Sequence, residues 1–162
     1  MAKETVKKLS SKLLRKSKGL KIDWGDRVLV YYQGTLLNGE EFDSNFNFST
    51  FEQVLLRDPF PFNLGVGEVI KGWDKGLKDK RIGSVVELTI PARLAYGKTG
   101  SGELIPPNSP LKFKVEILAA LPAGSSTAVF ADYSTFGINT KKIGLKPALI
   151  QTTTSLKIGL DR

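Results

Sequence analysis

Residues 111–118 read LKFKVEIL. Leu111, Phe113, Val115 and Ile117 alternate with Lys112, Lys114 and Glu116, the period-two pattern of a strand with one buried and one solvated face. Such a strand belongs to an antiparallel sheet. Upstream, SVVELTIP at 84–91 alternates in the same way, with Val86, Leu88 and Ile90 on one side. PFPFNL at 59–64 reads as another strand. Its two prolines put it at an edge or a bulge, because proline cannot donate to a ladder. RVLVYY at 27–32 is β-branched and aromatic. Asn38-Gly39 then signals a hairpin returning through Glu41, Phe42 and Asp43, since both turn positions tolerate positive φ. Among these strands lies VIKGWDKGLKD at 69–79, where Ile70, Trp73 and Leu77 share one face of a short helix. Gly72 and Gly76 each cost about 1 kcal/mol relative to alanine in a helix, so their presence implies that something packs closely there. The expected fold class is α+β: antiparallel strands wrapping one short helix.

The chain has 162 residues, 41% of them apolar, and neither cysteine nor histidine. Disulfides, thiol catalysis and imidazole acid–base chemistry are therefore excluded, and no cofactor or metal is expected. The net charge of +8 is uneven. Residues 1–21 carry +7, residues 22–121 carry −2 and residues 122–162 carry +3. The basic character thus sits in the arms, and a basic arm can bind nucleic acid or an anionic surface, or can simply be solvated. Within residues 3–18, Val6, Leu9, Leu13 and Leu14 have the spacing of a weak amphipathic helix ended by Gly19. No run approaches the ~18 apolar residues of a membrane span. No apolar core of secretory length follows Met1, and the expectation is a monomeric cytoplasmic protein. Residues 45–59 are aromatic-rich, with Phe51, Val54 and Leu55 at helix-like spacing before Pro59. Residues 96–110 form a long Gly/Pro/Ser loop, a length that is usually functional inside a compact domain. The tail after Pro122 is rich in Ser, Thr, Gly and Ala but keeps apolar residues such as Val129, Phe130, Tyr133 and Phe136; order and disorder both stay open for it.

Four segments, taken in order, carry a resemblance: VYYQGTLLNGEEFDS, PFPFNLGVGEVIKGWDKGL, LTIPARLAYG and GELIPPNSPLKFKVEIL. Together they resemble the FKBP family, the immunophilin peptidyl-prolyl cis/trans isomerases that bind tacrolimus and rapamycin. The resemblance covers residues 20–121, leaving 1–19 and 122–162 as extensions. It implies a curved antiparallel sheet around a short helix with the active site between them. Trp73 matches the floor of the family's proline pocket, and Tyr32, Phe42, Phe60 and Phe113 match its aromatic walls. Val69 and Ile70 match the pair beside the floor, where the Ile70 backbone meets ligands. Asp43 matches the carboxylate at the buried edge, and Tyr96 the tyrosine whose hydroxyl reaches the bound peptide carbonyl. Leu104 and Ile105 match the apolar flap before Pro106-Pro107. Asp43, Trp73, Tyr96 and Phe113 are the implied catalytic set. Ser101 stands where many members carry a ring. The first strand of relatives is longer, so that here an edge strand is shortened or is replaced by the arm or tail. The stretch between Asp43 and Phe60 is also longer than in the simplest members, at the rim of the pocket.

Read singly, each aromatic fits a hydrophobic core as well as a pocket. Together they imply an enzyme that accelerates rotation about Xaa-Pro bonds in peptides and unfolded proteins, assisting folding. This reaction needs neither nucleophile nor base, so the missing histidine and cysteine are no obstacle. The alternatives are a non-catalytic module that grips proline segments, and a folding chaperone using the same pocket.

Overall fold

The computed structural model describes residues 6–50, 52–53 and 57–132. Its centre is β2 (Arg27–Leu36), flanked on one side by β8 (Leu111–Leu121) over its whole length. On its other side β2 pairs with β6 (Phe60–Asn63) through Arg27–Val30 and with β3 (Glu41–Ser44) through Gln33–Thr35. Beyond β8 lies β7 (Val85–Ile90), and beyond β7 lies β1 (Ser10–Arg15), all antiparallel. With β9 (Val129–Phe130) on β8, the sheet has seven strands among the described residues. A separate two-stranded ribbon joins β4 (Phe46–Asn47) to β5 (Glu52–Gln53). As its prolines require, β6 is an edge strand, with Pro61 opposite Leu29.

One face of the curved sheet packs on the only α-helix among the described residues, α1 (Lys71–Gly76). Val86, Leu88, Ile90, Val115 and Ile117 are fully buried there with Leu77. The two helix glycines have the reason anticipated. A Cβ on Gly72 would fall 2.5 Å from the Ile90 side chain, and one on Gly76 would fall 2.9 Å from Leu88. The hairpin after β2 turns at Asn38-Gly39, but only Gly39 takes a positive φ. The Gly39 N–H donates to Leu36 O and the Leu36 N–H to Glu40 O. This is a three-residue loop with a glycine bulge rather than a two-residue turn.

Two further expectations are corrected. Residues 10–15 are not helical but form β1, with Ser10 opposite Thr89 and Arg15 opposite Val85. The edge of β7 offers unpaired N–H and C=O groups, and their hydrogen bonds outweigh a weak helical preference. Of the four apolar residues that suggested a helix, only Leu9 packs on the main core. The arm therefore supplies the edge strand that the shortened start of the domain lacks. Glu116, expected in solvent, is fully buried. The far face of the sheet is covered here by a second apolar cluster of Leu29, Tyr31, Phe46, Leu118, Ala119 and Leu121, with Phe48 and Phe130 packed on it. In this dry position Glu116 is met by Arg15 of β1, which reaches it at 2.8 Å while also donating twice to Gly83 O. Residues 45–59 begin as the β4–β5 ribbon, with Phe46 stacked on Tyr31 at 4.3 Å; Phe51, Val54 and Leu55, whose spacing is helix-like, lie outside the described residues. The tail contributes β9 to the sheet, and Tyr133 and Phe136 also lie outside the described residues.

Candidate active site

A cavity of about 210 Å³ opens between α1 and the sheet. Trp73 comes to it from α1, Tyr32 from β2, Phe42 and Asp43 from β3, Phe60 from β6 and Phe113 from β8. Val69 and Ile70 come from the segment entering the helix, and Tyr96 from the turn after the 3-10 helix Ala92–Leu94. Nine of the eleven residues singled out from the sequence thus line one space. Leu104 and Ile105 line an adjoining recess of about 260 Å³ that shares Phe42, Asp43 and Tyr96 with the first. Ser101 lies in that recess too.

The floor is held by ring edges. Tyr32, Phe60, Phe62 and Phe113 surround Trp73 at centroid distances of 5.2 to 6.2 Å and interplanar angles of 60 to 88°. Edge-to-face pairs of this kind each contribute ~0.5–1.5 kcal/mol beyond burial, so the floor is stiff. Phe42 meets Phe113 edge-on at 5.4 Å. Both rings lie over Gly34 of β2, where a Cβ would stand 2.6 Å from each of them. The wall closes because that position carries no side chain.

Polar groups gather at one rim. The Tyr32 hydroxyl donates to Asp43 Oδ2 at 2.6 Å. Burial, reinforced by this bond to Asp43, pushes the Tyr32 hydroxyl well above its ordinary value, so it stays protonated. Arg57 donates to Asp43 Oδ1 at 3.2 Å and to the Tyr32 oxygen at 3.4 Å. Both partners of the Arg57–Asp43 pair are about half exposed, so it is worth at most ~1 kcal/mol and serves orientation more than stability. The Tyr96 hydroxyl makes no hydrogen bond among the described residues, and burial, then the Asp43 charge, raise its pKa. It is a donor awaiting an acceptor. The Ile70 N–H also lacks an acceptor among the described residues, its carbonyl being used by Trp73 and Asp74. The Trp73 indole N–H is buried without a partner among the described residues.

Two lining or rim residues escaped the sequence reading. Glu68 lines the cavity and ties it down, accepting from the Asn63 N–H and side-chain amide at 2.9 and 2.7 Å. It stands one residue before the Val69-Ile70 pair, so its position was a usable signal. Arg57 carried none: it reaches Asp43 only because β6 brings the following chain alongside β2.

The comparisons with known proteins agree with this geometry. The family model for FKBP-type peptidyl-prolyl cis-trans isomerases matches residues 19–118. FK506-binding protein 2 of Dictyostelium discoideum is 46% identical over 94 residues, covering 58% of this chain and 65% of that protein. FK506-binding protein 1 of Saccharomyces cerevisiae is 49% identical over 94 residues, covering 58% of this chain and 75% of the yeast protein. Among solved structures, FkpA from Escherichia coli superposes with a TM-score of 0.59 at 40% identity, over 71% of this chain and 49% of that one. AtFKBP13 superposes with a TM-score of 0.58 at 35% identity, over 67% and 90%. An antiparallel sheet around one short helix, with an aromatic recess between them, is the architecture of a prolyl-isomerase domain. The chain belongs to the FKBP-type peptidyl-prolyl cis-trans isomerase family.

Proposed function

We propose that the aromatic cavity is the place where this chain turns over Xaa-Pro bonds in peptides and unfolded proteins. The single observation that carries the proposal is the Trp73 floor ringed by four aromatic edges, open at a rim that bears unpartnered donors. A cavity of about 210 Å³ is smaller than the ~300–1,000 Å³ of drug-sized sites, which suits one pyrrolidine ring. Rotation about the preceding bond crosses ~18–20 kcal/mol because amide resonance is lost. The planar amide has the greater charge separation, so a dry aromatic lining disfavours it relative to the twisted form, and only such differential binding speeds the reaction. Trp73, Tyr32, Phe42, Phe60 and Phe113 supply that lining. Tyr96 donates to the substrate carbonyl and the Ile70 N–H to the flanking backbone. Asp43, fixed by Tyr32 and Arg57, sets the polarity of the rim. Leu104 and Ile105 hold the neighbouring residue in the second recess.

The relatives are FK506-binding proteins, which extends the reading to macrolides: tacrolimus (FK506) and rapamycin would compete with proline segments for this cavity. Residues 20–121 form the isomerase unit, with β1 and β9 lent by the extensions at 1–19 and 122–162. The cytoplasmic monomer expected from the sequence belongs to the same reading; among the described residues no helix is long and apolar enough to cross a membrane. The test is a protease-coupled assay on a Leu-Pro peptide. Acceleration that tacrolimus abolishes, and that Trp73→Ala removes in the folded chain, is expected. Folded protein at micromolar concentration that leaves the uncatalysed rate unchanged overturns the proposal.

A further inference from the structure

A further recess lies away from the isomerase cavity and shares no residue with it or with the recess beside it. It has a volume of about 260 Å³ and is formed where the arm passes the connection between α1 and β7. Lys16, Lys80 and Arg81 line it, with Leu13, the two serines Ser17 and Ser84, and Asp79. None of the three cations pairs with a carboxylate among the described residues. Asp79, the one acid there, is engaged by Lys78 at 3.2 Å. Like charges around one space repel, and an anion between them reverses the sign of that interaction.

The arrangement is fixed by the fold. Lys21 bridges Arg81, the Ile22 N–H donates to Lys80 O and the Ile82 N–H to Leu20 O, each at 2.9 Å. Ser17 Oγ donates to Ile82 O at 2.6 Å, and Arg15 is clamped to Gly83 O and the buried Glu116. The arm is therefore laid along residues 79–84, with the backbone of Lys21 opposite Arg81. With their hydroxyls already donated to Ile82 O and Arg81 O, Ser17 and Ser84 add no free donor. Recognition there is by charge, without the directional hydrogen bonds that read a base edge.

We infer that this recess and the lysine-bearing arm beside it form a sequence-independent binding surface for the phosphate backbone of a nucleic acid. A polyanion fits better than an isolated phosphate because the exposed Lys7, Lys8, Lys18 and Lys21 lie along the same arm before and after Lys16, whereas Lys12 stands opposite Glu87 on the other side of β1 from Leu13. A polyanion also fits better than a lipid surface. The amphipathic helix that would have laid an apolar stripe into a bilayer is replaced by β1, which exposes Leu13 and Leu14 alone as large apolar side chains. Residues 22–121 carry −2 even with Lys80 and Arg81 counted, so the domain outside the recess adds no attraction for a polyanion. An isomerase anchored here keeps its aromatic cavity free for protein substrates.

The test uses the full chain and fluorescently labelled single-stranded DNA, duplex DNA and duplex RNA, titrated by anisotropy between about 50 and 200 mM salt. Log Kd is expected to rise linearly with log salt for all three. The Lys16→Gln/Lys80→Gln/Arg81→Gln variant is expected to bind at least tenfold more weakly at the lower salt. Its slope should fall by about 2–3, from ~0.7–0.9 for each lost phosphate contact. Turnover of the Leu-Pro peptide should be unchanged, which also reports that the variant is folded. Should Arg81→Gln disturb the fold, Lys16→Gln/Lys80→Gln serves, with a fall in slope of about 1.5–2. Absence of binding by the wild-type chain at the lower salt overturns the inference. So does a folded variant with the wild-type affinity and slope, which puts the contact elsewhere, or a chain that binds phosphatidylserine vesicles and none of the three nucleic acids.

Discussion

Gly34 offers a sharp test of how the pocket wall is built. A Cβ added there would stand 2.6 Å from Phe113 Cε1 and from Phe42 Cζ, and 2.8 Å from Phe42 Cε1. Ordinary carbon contacts lie at ~3.5–4.0 Å, so Gly34→Ala forces one or both rings back by roughly 1 Å. Phe113 is 5% exposed and locked against Trp73 at 5.2 Å, and Phe42 gives way first. Overpacking of this kind costs ~1–3 kcal/mol, a fall in Tm of roughly 4–8 °C for each kcal/mol in a domain of this size. The larger effect is on turnover. Displacement of a positioning wall by about 1 Å lowers kcat/KM on the order of 10–100-fold, measured on a Leu-Pro peptide well below the melting range. Gly39→Ala is the internal control. Its φ of 93° makes alanine strained, yet nothing lies within 4 Å of the added atom. It should lose ~1–2 kcal/mol of stability and no activity. If folded Gly34→Ala retains kcat/KM within a factor of two of wild type, the rings do not define the wall and the reasoning fails.

Tyr96→Phe removes a hydroxyl with no partner among the described residues, so Tm should hold while kcat/KM falls about fivefold to tenfold, the worth of a ~1–1.5 kcal/mol hydrogen bond; an unchanged kcat/KM removes Tyr96 from the chemistry. Arg15→Ala takes the 2.8 Å partner from the fully buried Glu116 and should cost about 3 kcal/mol in urea denaturation, with much of the loss recovered in Arg15→Met/Glu116→Leu. Burial raises the Tyr31 and Tyr32 hydroxyls above the ordinary value. Their folded pKa values exceed the unfolded ones, so their stabilising contribution is complete below pH ~10 and is lost as pH climbs towards the folded values. Thermal melts should be insensitive to these groups at pH 7–9 and fall above about 10. Tyr31→Phe, which deletes a buried hydroxyl without a hydrogen-bond partner, should match or exceed wild-type stability and soften that alkaline fall; a destabilised Tyr31→Phe chain refutes that account.

Most of the sheet could be read because its residues answer to local rules. The alternation in LKFKVEIL and SVVELTIP marks which side chains meet α1, and Gly72 and Gly76 announce how closely they do so. The pocket was legible through a different route: no single aromatic declares whether it lines a cavity or fills a core, and only the ordered set of four segments separated the two. What stayed hidden depends on partners far along the chain. Residues 10–15 become a strand because β7 has an edge to be satisfied, a fact located seventy or so positions away. Glu116 looks solvated in its own strand, yet it is fully buried, opposite Tyr31 of β2 and paired with Arg15 from one end of the domain. Arg57 reaches Asp43 through the path of β6, which the residues around it do not encode.

The close approach of α1 to β7 has a consequence for how this site could be retuned. Trp73 rides on the helix, while Tyr32 and Phe113 stand on the sheet, so the depth of the cavity measures the gap between two layers. That gap is set beneath Gly72 and Gly76 by the bulk of Ile90 and Leu88, neither of which meets the cavity. A smaller side chain at 90 would let the helix settle and the floor sink; a larger one would lift it. Selectivity for bulkier or slimmer rings can therefore drift through residues that never touch a substrate, with every contact residue left unchanged.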